Sequence, residues 1–426
     1  MHDYMISQLS KLSNISAAFS SGKNTQNPTA AGSKAKSLKK VNAQNSRVRK
    51  GFADIINIPL LVVTLMLLLY GAIVIWSASL SIVHASLSRH LLGIAIGLVF
   101  AFVMWSFDYR TFANLSTVLL VIDLIVIFLP YVPFLSYSAK GMTGWIKIPG
   151  IGLTFQPVEA AKLITMLYMA SITAQYNGRI DTVRDYAKLC GMLAIPFVAI
   201  ILQGDLGSSL VVLCGGAVVI MMGGARKEWV LSTIAMLIGF VAIVLASDSI
   251  VDQLVGDANS LLRDYQMNRL LVFIDPEADT SGAGYNLMQS MIAVGSGGFF
   301  GKGIGNATQS GQGFLPEAHT DFVFALLSEE FGFVGSVVLV LLFFLMLIFT
   351  IRIGMKCETV YGKLLISGIV GMWLFQILEN IGMCIGMMPI TGIPLPFISF
   401  GSSSMMMQLC IIGTVQSVWR HRSKAA

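Results

Sequence analysis

The chain has 426 residues, 55% of them hydrophobic and 12% charged, against about 25% charged in an average soluble domain. A mean hydropathy of +0.76 excludes a soluble globular protein and predicts a polytopic membrane protein. The formal net charge of +6 sits mostly near the chain ends, which points to basic tails on an anionic leaflet and not to nucleic acid.

Residues 1–50 are rich in Ser, Asn, Ala, Gln and Lys. They hold no continuous apolar run followed by a cleavage site, so no signal peptide is read there. Their composition predicts a disordered tail. Lys34, Lys36, Lys39, Lys40, Arg47, Arg49 and Lys50, just before the first apolar run, place that tail in the cytoplasm.

Residues 51–426 are predicted as one all-α transmembrane domain of about ten spans of helix length. The spans are Ile58–Ser77, Leu91–Trp105, Leu115–Val132, Pro157–Gln175, Lys188–Gln203, Ser208–Met222, Glu228–Ala246, Phe322–Ile351, Leu364–Met388 and Pro396–Trp419. Starting inside, the connections at Asp108–Arg110, Tyr176–Lys188, Arg226–Lys227 and Arg352–Lys363 fall in the cytoplasm. The Arg420–Lys424 tail joins them, so both termini are cytoplasmic, as the positive-inside rule asks. No fixed-period repeat is visible, so neither a solenoid nor an inverted-repeat transporter is read. The five cysteines, Cys190, Cys214, Cys357, Cys384 and Cys410, lie in apolar segments without a C-x-x-C pair. They read as small core residues, with no disulfide framework or zinc site.

The outer face carries the unusual material. In the Pro133–Phe155 loop, Trp145 and Lys147 stand between glycines and a proline; an interfacial Trp with a snorkelling Lys is the plainer explanation, a site the alternative. Pro157 suits the first position of a helix. Glu159 and Lys162 then share one face and can pair, either as a structural ion pair or as part of a polar cavity. Asp205, in Gln203-Gly204-Asp205-Leu206-Gly207, reads as a turn residue.

The Asp248–Thr320 connection is by far the longest, and long loops are usually functional or disordered. Leu261, Leu262, Leu270, Leu271 and Phe273, then Tyr285, Leu287 and Met291, suggest two helices lying on the membrane surface. Gly295, Gly297, Gly298, Gly301, Gly303 and Gly305 follow. Such a loop can cradle phosphate, though without G-K-[ST] a nucleotide P-loop is not read.

Asn306 to Gly335, NATQSGQGFLPEAHTDFVFALLSEEFGFVG, puts His319, Asp321 and three Glu (Glu317, Glu329, Glu330) at the mouth of a long apolar segment, with Asp321, Ala325, Ser328 and Glu329 on one face at helical spacing. Ionisable groups at membrane depth are costly and mark functional sites by default. Helix is predicted from Asp321 onward, with Asp321 in its first turn, where exposed N–H groups favour a negative charge. The plainer alternative is that Asp321 only caps the helix. Glu379, deep in its span, needs a partner or water. Ser402, Ser403 and Ser404 serve either close helix packing or a site.

Four stretches carry a resemblance: FLPEAHTDFVFALLSEEFGFVG, GYNLMQSMIAVGSGGFFGKGIGNATQS, FQPVEAAKL and NIGMCIGMMPITGIPLPFISFGSSS. They resemble the motifs of the SEDS family (shape, elongation, division and sporulation), the RodA/FtsW group of bacterial cell-wall proteins. The likeness runs from the first span to the last. The TQS after GKGIGNA is more similar to RodA than to FtsW.

The resemblance implies a peptidoglycan glycosyltransferase in the bacterial cytoplasmic membrane. It would polymerise lipid II, a disaccharide-pentapeptide on undecaprenyl pyrophosphate, for cell elongation, with a class B penicillin-binding protein as transpeptidase partner. The family's essential Asp matches Asp321, and positions of functional weight match Trp145, Lys162, Asp205 and Ser402–Ser404. Departures are Val158 for Ser, Gly204 for Pro, Phe400-Gly401-Ser402 for Tyr-Gly-Gly, and Glu379 where an apolar residue is expected.

The chemistry fits the residues. Glycan polymerisation needs a base to take the acceptor hydroxyl proton, which a carboxylate in a partly dry site can do. The leaving pyrophosphate needs cations or N–H donors, which Lys162, Arg269 or the Gly-rich loop could supply. A divalent cation, Mg2+ or Mn2+, bridging Asp321 and the pyrophosphate is compatible with these residues and not demanded by them. The competing readings are an FtsW-like septal polymerase, a flippase for the same lipid, and a non-catalytic scaffold. Acids cluster on the outer side, with no matched polar set on the cytoplasmic side, which favours one-sided chemistry over alternating access.

Overall fold

A computed structural model describes residues 52–82, 84–132, 136–139, 142–147, 154–233, 235–236, 272, 279 and 282–422. The predicted tail, Arg269, the 261–271 helix and most of the seventh span lie outside the described residues.

The main helices are α1 (Ile58–Ser81), α2 (Leu87–Ser106), α3 (Ser116–Phe128), α4 (Pro157–Ala174), α5 (Val183–Leu202), α6 (Leu206–Met222), α7 (Ala283–Ser296), α8 (Val323–Lys356), α9 (Val360–Cys384) and α10 (Ser402–Arg420). Local chemistry starts several of them. Asn57 accepts from Leu60 N at 3.0 Å ahead of α1, and the Thr182 hydroxyl accepts from Asp185 N at 3.1 Å ahead of α5. Each side chain satisfies an amide that has no partner inside the helix.

Among the described residues, α1, α2, α5, α8 and α9 are long and apolar enough to cross a membrane, with Ser116–Tyr131 and Leu206–Met222 as shorter apolar helices. Leu98, Phe102, Leu341 and Phe344 are exposed on these helices, a surface that lipid covers and water would not. The chain is a mostly helical polytopic membrane protein.

Helices α2 and α10 pack parallel, Gly93 against Ser402 and Trp105 against Arg420. A Cβ on Gly93 would lie 3.1 Å from Ser402 Cα, and one on Gly97 only 2.7 Å from Leu409 Cδ1. Small residues let the backbones approach this closely, which is how apolar helices gain contact inside lipid. The pairing places Trp105 beside Arg420, whose guanidinium stands 4.6 Å from the indole centre. Arg422 stacks on Trp419 at 3.9 Å and pairs with Asp54 at 3.0 Å. This cationic end matches the predicted cytoplasmic side.

Four expectations need correction. The eighth span is not one continuous helix: Gly332 (φ 65°, ψ −161°) breaks α8, and Phe333 N and Val334 N bond instead to the carbonyls of Gly298 and Phe299, at 2.9 and 3.1 Å. The tenth helix begins at Ser402 and not at Pro396. Phe397 sits at φ 66°, and Leu395 N is taken by the Ser399 hydroxyl at 2.8 Å, so residues 396–401 remain irregular.

The 133–155 loop holds a small antiparallel sheet, β1 (Ser136–Ala139), β2 (Met142–Lys147) and β3 (Thr154–Phe155), with Tyr137 opposite Trp145 and Ile146 opposite Phe155. Aromatic and β-branched pairs of this kind stabilise short strands. Finally, α7 does not simply lie on the surface. Leu287, Ser290 and Ala293 are buried, and the Ser290 hydroxyl donates to the Cys384 carbonyl of α9 at 3.0 Å.

Candidate active site

At the end opposite the cations, the chain enters α8 through a tight turn. Glu317 adopts φ 56°, and its carbonyl accepts from the amides of Thr320, Asp321 and Phe322 at 3.1, 3.1 and 3.2 Å. The helix begins only at Val323. Asp321 therefore stands before the first helical turn and not within it, because Glu317 gathers the amides that would otherwise open the helix.

The carbonyls that follow are each held from outside. That of His319 accepts from Phe400 N at 2.9 Å, that of Thr320 from the Ser399 hydroxyl at 2.7 Å, and that of Asp321 from Asn380 Nδ2 at 2.7 Å. Three consecutive anchors fix the backbone, while the Asp321 side chain stays half-buried. Such anchoring is the support a reacting group requires. The His319 ring is buried beside Phe400, 5.5 Å between centroids, and the Glu317 carboxylate accepts from the Thr320 hydroxyl at 2.8 Å.

The Gly-rich loop is not an open phosphate cradle. Lys302 N and Gly303 N donate to the carbonyls of Glu329 and Glu330, both at 3.0 Å, and Gly305 N to the Ser77 hydroxyl at 2.8 Å. Just beyond, the amides of Thr308, Gln309 and Ser310 converge at 2.8, 2.9 and 3.0 Å on the carboxylate of Glu329. That fully buried side chain also pairs with Lys302 Nζ at 2.6 Å. An anion-binding nest does form, and the protein's own glutamate fills it.

A second polar cluster lies where β3 meets α4. The Ser403 hydroxyl accepts from Gln156 N at 3.0 Å and donates to the Thr154 carbonyl at 3.1 Å. Gln156 Nε2 reaches Asp205 at 3.2 Å, and Asp205 caps α6 through Ser208 N at 2.9 Å. Ser402 opens α10 against Gly93.

Glu159 and Lys162 pair with each other at 2.7 Å, side chains 3% and 1% exposed. Of the two forms left open by spacing, the structure builds the sealed ion pair. Trp145 lies half-buried in β2. The structure thus joins Glu317, His319 and Asp321 in one turn, and Asp205 with Ser403 through Gln156. It leaves Glu159–Lys162 as a pair of its own.

Between α7, α8 and α9 lies an apolar groove of about 410 Å³, lined by Val294, Phe324, Val337, Leu341 and Ile381. Phe324 is three residues from Asp321 and Ile381 adjoins Asn380 in sequence, so the helices that line the groove are those that carry the Asp321 turn and its Asn380 anchor.

Among the described residues no group of three or more His, Cys, Asp or Glu is arranged to hold a metal ion. A divalent cation at Asp321 would take most of its oxygens from substrate and water, as Mg2+ commonly does. Asn380, Ser399 and Gln156 are supporting residues that the sequence reading did not single out. Asn380 could have been flagged as a polar group within an apolar span; Gln156 and Ser399 carry no such signal.

Residues 58–424 match the cell cycle protein family of FtsW, RodA and SpoVE. The peptidoglycan glycosyltransferase MrdB of Escherichia coli (strain K12) is 33% identical over 380 residues, 88% of this chain and 96% of its own. Stage V sporulation protein E of Bacillus subtilis (strain 168) is 33% identical over 374 residues, 85% of this chain and 96% of its own. Among solved structures, a chain from a peptidoglycan synthase complex that coordinates polymerization and crosslinking aligns with a TM-score of 0.68 at 30% identity. The alignment covers 86% of this chain and 98% of that one.

Proposed function

The chain belongs to the FtsW/RodA/SpoVE family of cell cycle proteins, and on that footing we propose how its site works. It is a peptidoglycan glycosyltransferase of the SEDS group. Asp321 is the general base: its carboxylate takes the proton of the acceptor sugar hydroxyl as that oxygen bonds to the donor's anomeric carbon, and the polyprenyl pyrophosphate leaves with the bonding electrons. The observation that supports this most is the anchoring of three successive carbonyls, at His319, Thr320 and Asp321, beneath a half-buried carboxylate.

The substrate we propose is lipid II, met at the outer face of the bacterial cytoplasmic membrane. Asp205, Ser402 and Ser403 border the sugar-binding side, with Trp145 on the adjoining sheet. His319 and Glu317 shape the turn. Arg269 and Lys162 are the proposed cations for the pyrophosphate; for Lys162 that role requires the pair with Glu159 to open. A divalent cation, Mg2+ or Mn2+, would supply charge neutralisation at the leaving pyrophosphate.

A class B penicillin-binding protein is the proposed crosslinking partner, in line with the synthase complex. The elongation role rests on Thr308-Gln309-Ser310, since identity to the MrdB and sporulation relatives is equal.

Purified full-length protein in vesicles with lipid II, alone and with its partner, tests the reading. Glycan strands are expected, and transbilayer movement of lipid II without strands would favour a flippase.

A further inference from the structure

Glu379 lies in α9 at 2% exposure, where the family resemblance leads to an apolar residue. A carboxyl group at membrane depth is costly unless hydrogen-bonded. Its Oε1 accepts from the Thr391 hydroxyl. The next residue, Asn380, donates from Nδ2 to both the Asp321 carbonyl at 2.7 Å and the Ile393 carbonyl at 2.8 Å. Two consecutive residues of α9 thus grip the 391–393 segment, and the second grips the Asp321 turn as well.

The 391–393 segment in turn presses on α6. A Cβ on Gly207 would lie 2.8 Å from Ile393 Cγ1 and 3.1 Å from the Thr391 carbonyl oxygen. Gly207 is two residues from Asp205, which holds Gln156 and through it Ser403. The segment therefore bridges the Asp321 turn and the Asp205 cluster, and only a glycine at 207 lets it come so close.

We propose that Glu379 is a positioning residue for the glycosyl transfer. By holding Thr391 it keeps the 391–393 bridge seated, so that the Asp321 turn and the Asp205 cluster stay in register. The inference rests on Asp321 being the reacting carboxylate. Glu379 touches no substrate in this scheme and acts through Thr391 and Ile393.

The test is steady-state lipid II polymerisation by the full chain in vesicles, with Glu379→Val, Glu379→Gln, Thr391→Val and the Val/Val double variant. Misplacing a reacting group by about 1 Å can cost about 10²-fold, so Glu379→Val and Thr391→Val are expected to lower kcat by about tenfold or more. KM should hold within about threefold, and the double variant should be no slower than the worse single, because both remove the same contact. Glu379→Gln keeps an acceptor oxygen for Thr391 and should retain kcat within about threefold.

Thr391→Val, nearly isosteric and in a loop, carries the test if Glu379→Val does not fold. Wild-type kcat in Thr391→Val, a Gln variant as slow as the Val variant, or losses that multiply in the double variant would each overturn the proposal. A wild-type protein that makes no glycan would refute the reaction assigned to Asp321, and this inference with it.

Discussion

Replacing Glu329 by Gln removes the charge that the 302–310 loop is built around. One carboxylate oxygen takes Lys302 Nζ, Thr308 N, Gln309 N and the Thr308 hydroxyl, at 2.6, 2.8, 2.9 and 3.1 Å. The other takes Ser310 N and its hydroxyl at 3.0 and 2.9 Å. Glutamine offers a single acceptor oxygen, so whichever way it turns, its NH2 meets the donors on the other side. Lys302 also loses its counter-charge.

Breaking a buried ion pair costs about 3–5 kcal/mol. The Lys302 side chain is 25% exposed and can turn to water, which sets the cost near the lower end. At about 1.4 kcal/mol per tenfold, the loop should open about 10²-fold more often. Hydrogen exchange on the reconstituted protein reads this directly: the amides of Thr308, Gln309 and Ser310 should exchange about 10²-fold faster, with α2 and α10 unchanged. Adding Lys302→Met should recover part of the protection. Equal protection in the Gln variant would refute the claim that the carboxylate holds the loop.

Three further outcomes are expected. Lys162→Met strands the buried Glu159 and should cost about 3–5 kcal/mol, seen as poor yield and a lowered Tm; adding Glu159→Gln should restore folding, and if it also restores activity, Lys162 does not bind the pyrophosphate. Gly332→Ala should destabilise the protein by about 1–3 kcal/mol from backbone strain alone, since φ there is 65° and a Cβ would meet the 299–301 backbone; an unchanged Tm would show that α8 is not broken at this residue. A reporter after Ala426 should be cytoplasmic and one near Asp279 extracytoplasmic, and labelling of Asp279 from the cytoplasm would invert the face assigned to Asp321.

Membrane class and most helix positions were legible because a sustained apolar run is a strong and local signal. Ile58–Ser77 became α1 at Ile58–Ser81, and Pro157–Gln175 became α4 at Pro157–Ala174. What hydropathy could not see is where an apolar run stops being helical. Gly332 is the first helix breaker after Asp321 in the sequence, but an apolar run resumes beyond it, and its break depends on residues 298–299, more than thirty positions away. The same holds at the site. Asp321 was legible as an acid at the mouth of a span, whereas its anchors come from Asn380, Ser399 and Phe400, far along the chain. The Gly-rich loop has the composition of an anion cradle, but the nest forms just beyond it, at Thr308 to Ser310, and only the fold shows that Glu329 occupies it. The β1–β3 sheet was hidden among glycines and prolines that read as loop.

The central claim is that Asp321 supplies the base, and Asp321→Asn tests it most directly. The substitution keeps the side chain's shape. It leaves untouched the backbone bonds to Glu317 and Asn380, and α8 begins only at Val323. Folding and association with the crosslinking partner should therefore survive. A positioned general base contributes about 10²–10⁴ in rate, so strand synthesis from lipid II in vesicles should fall by at least about 10²-fold. Glycan strands made at the wild-type rate by a well-folded Asn variant would contradict the assignment.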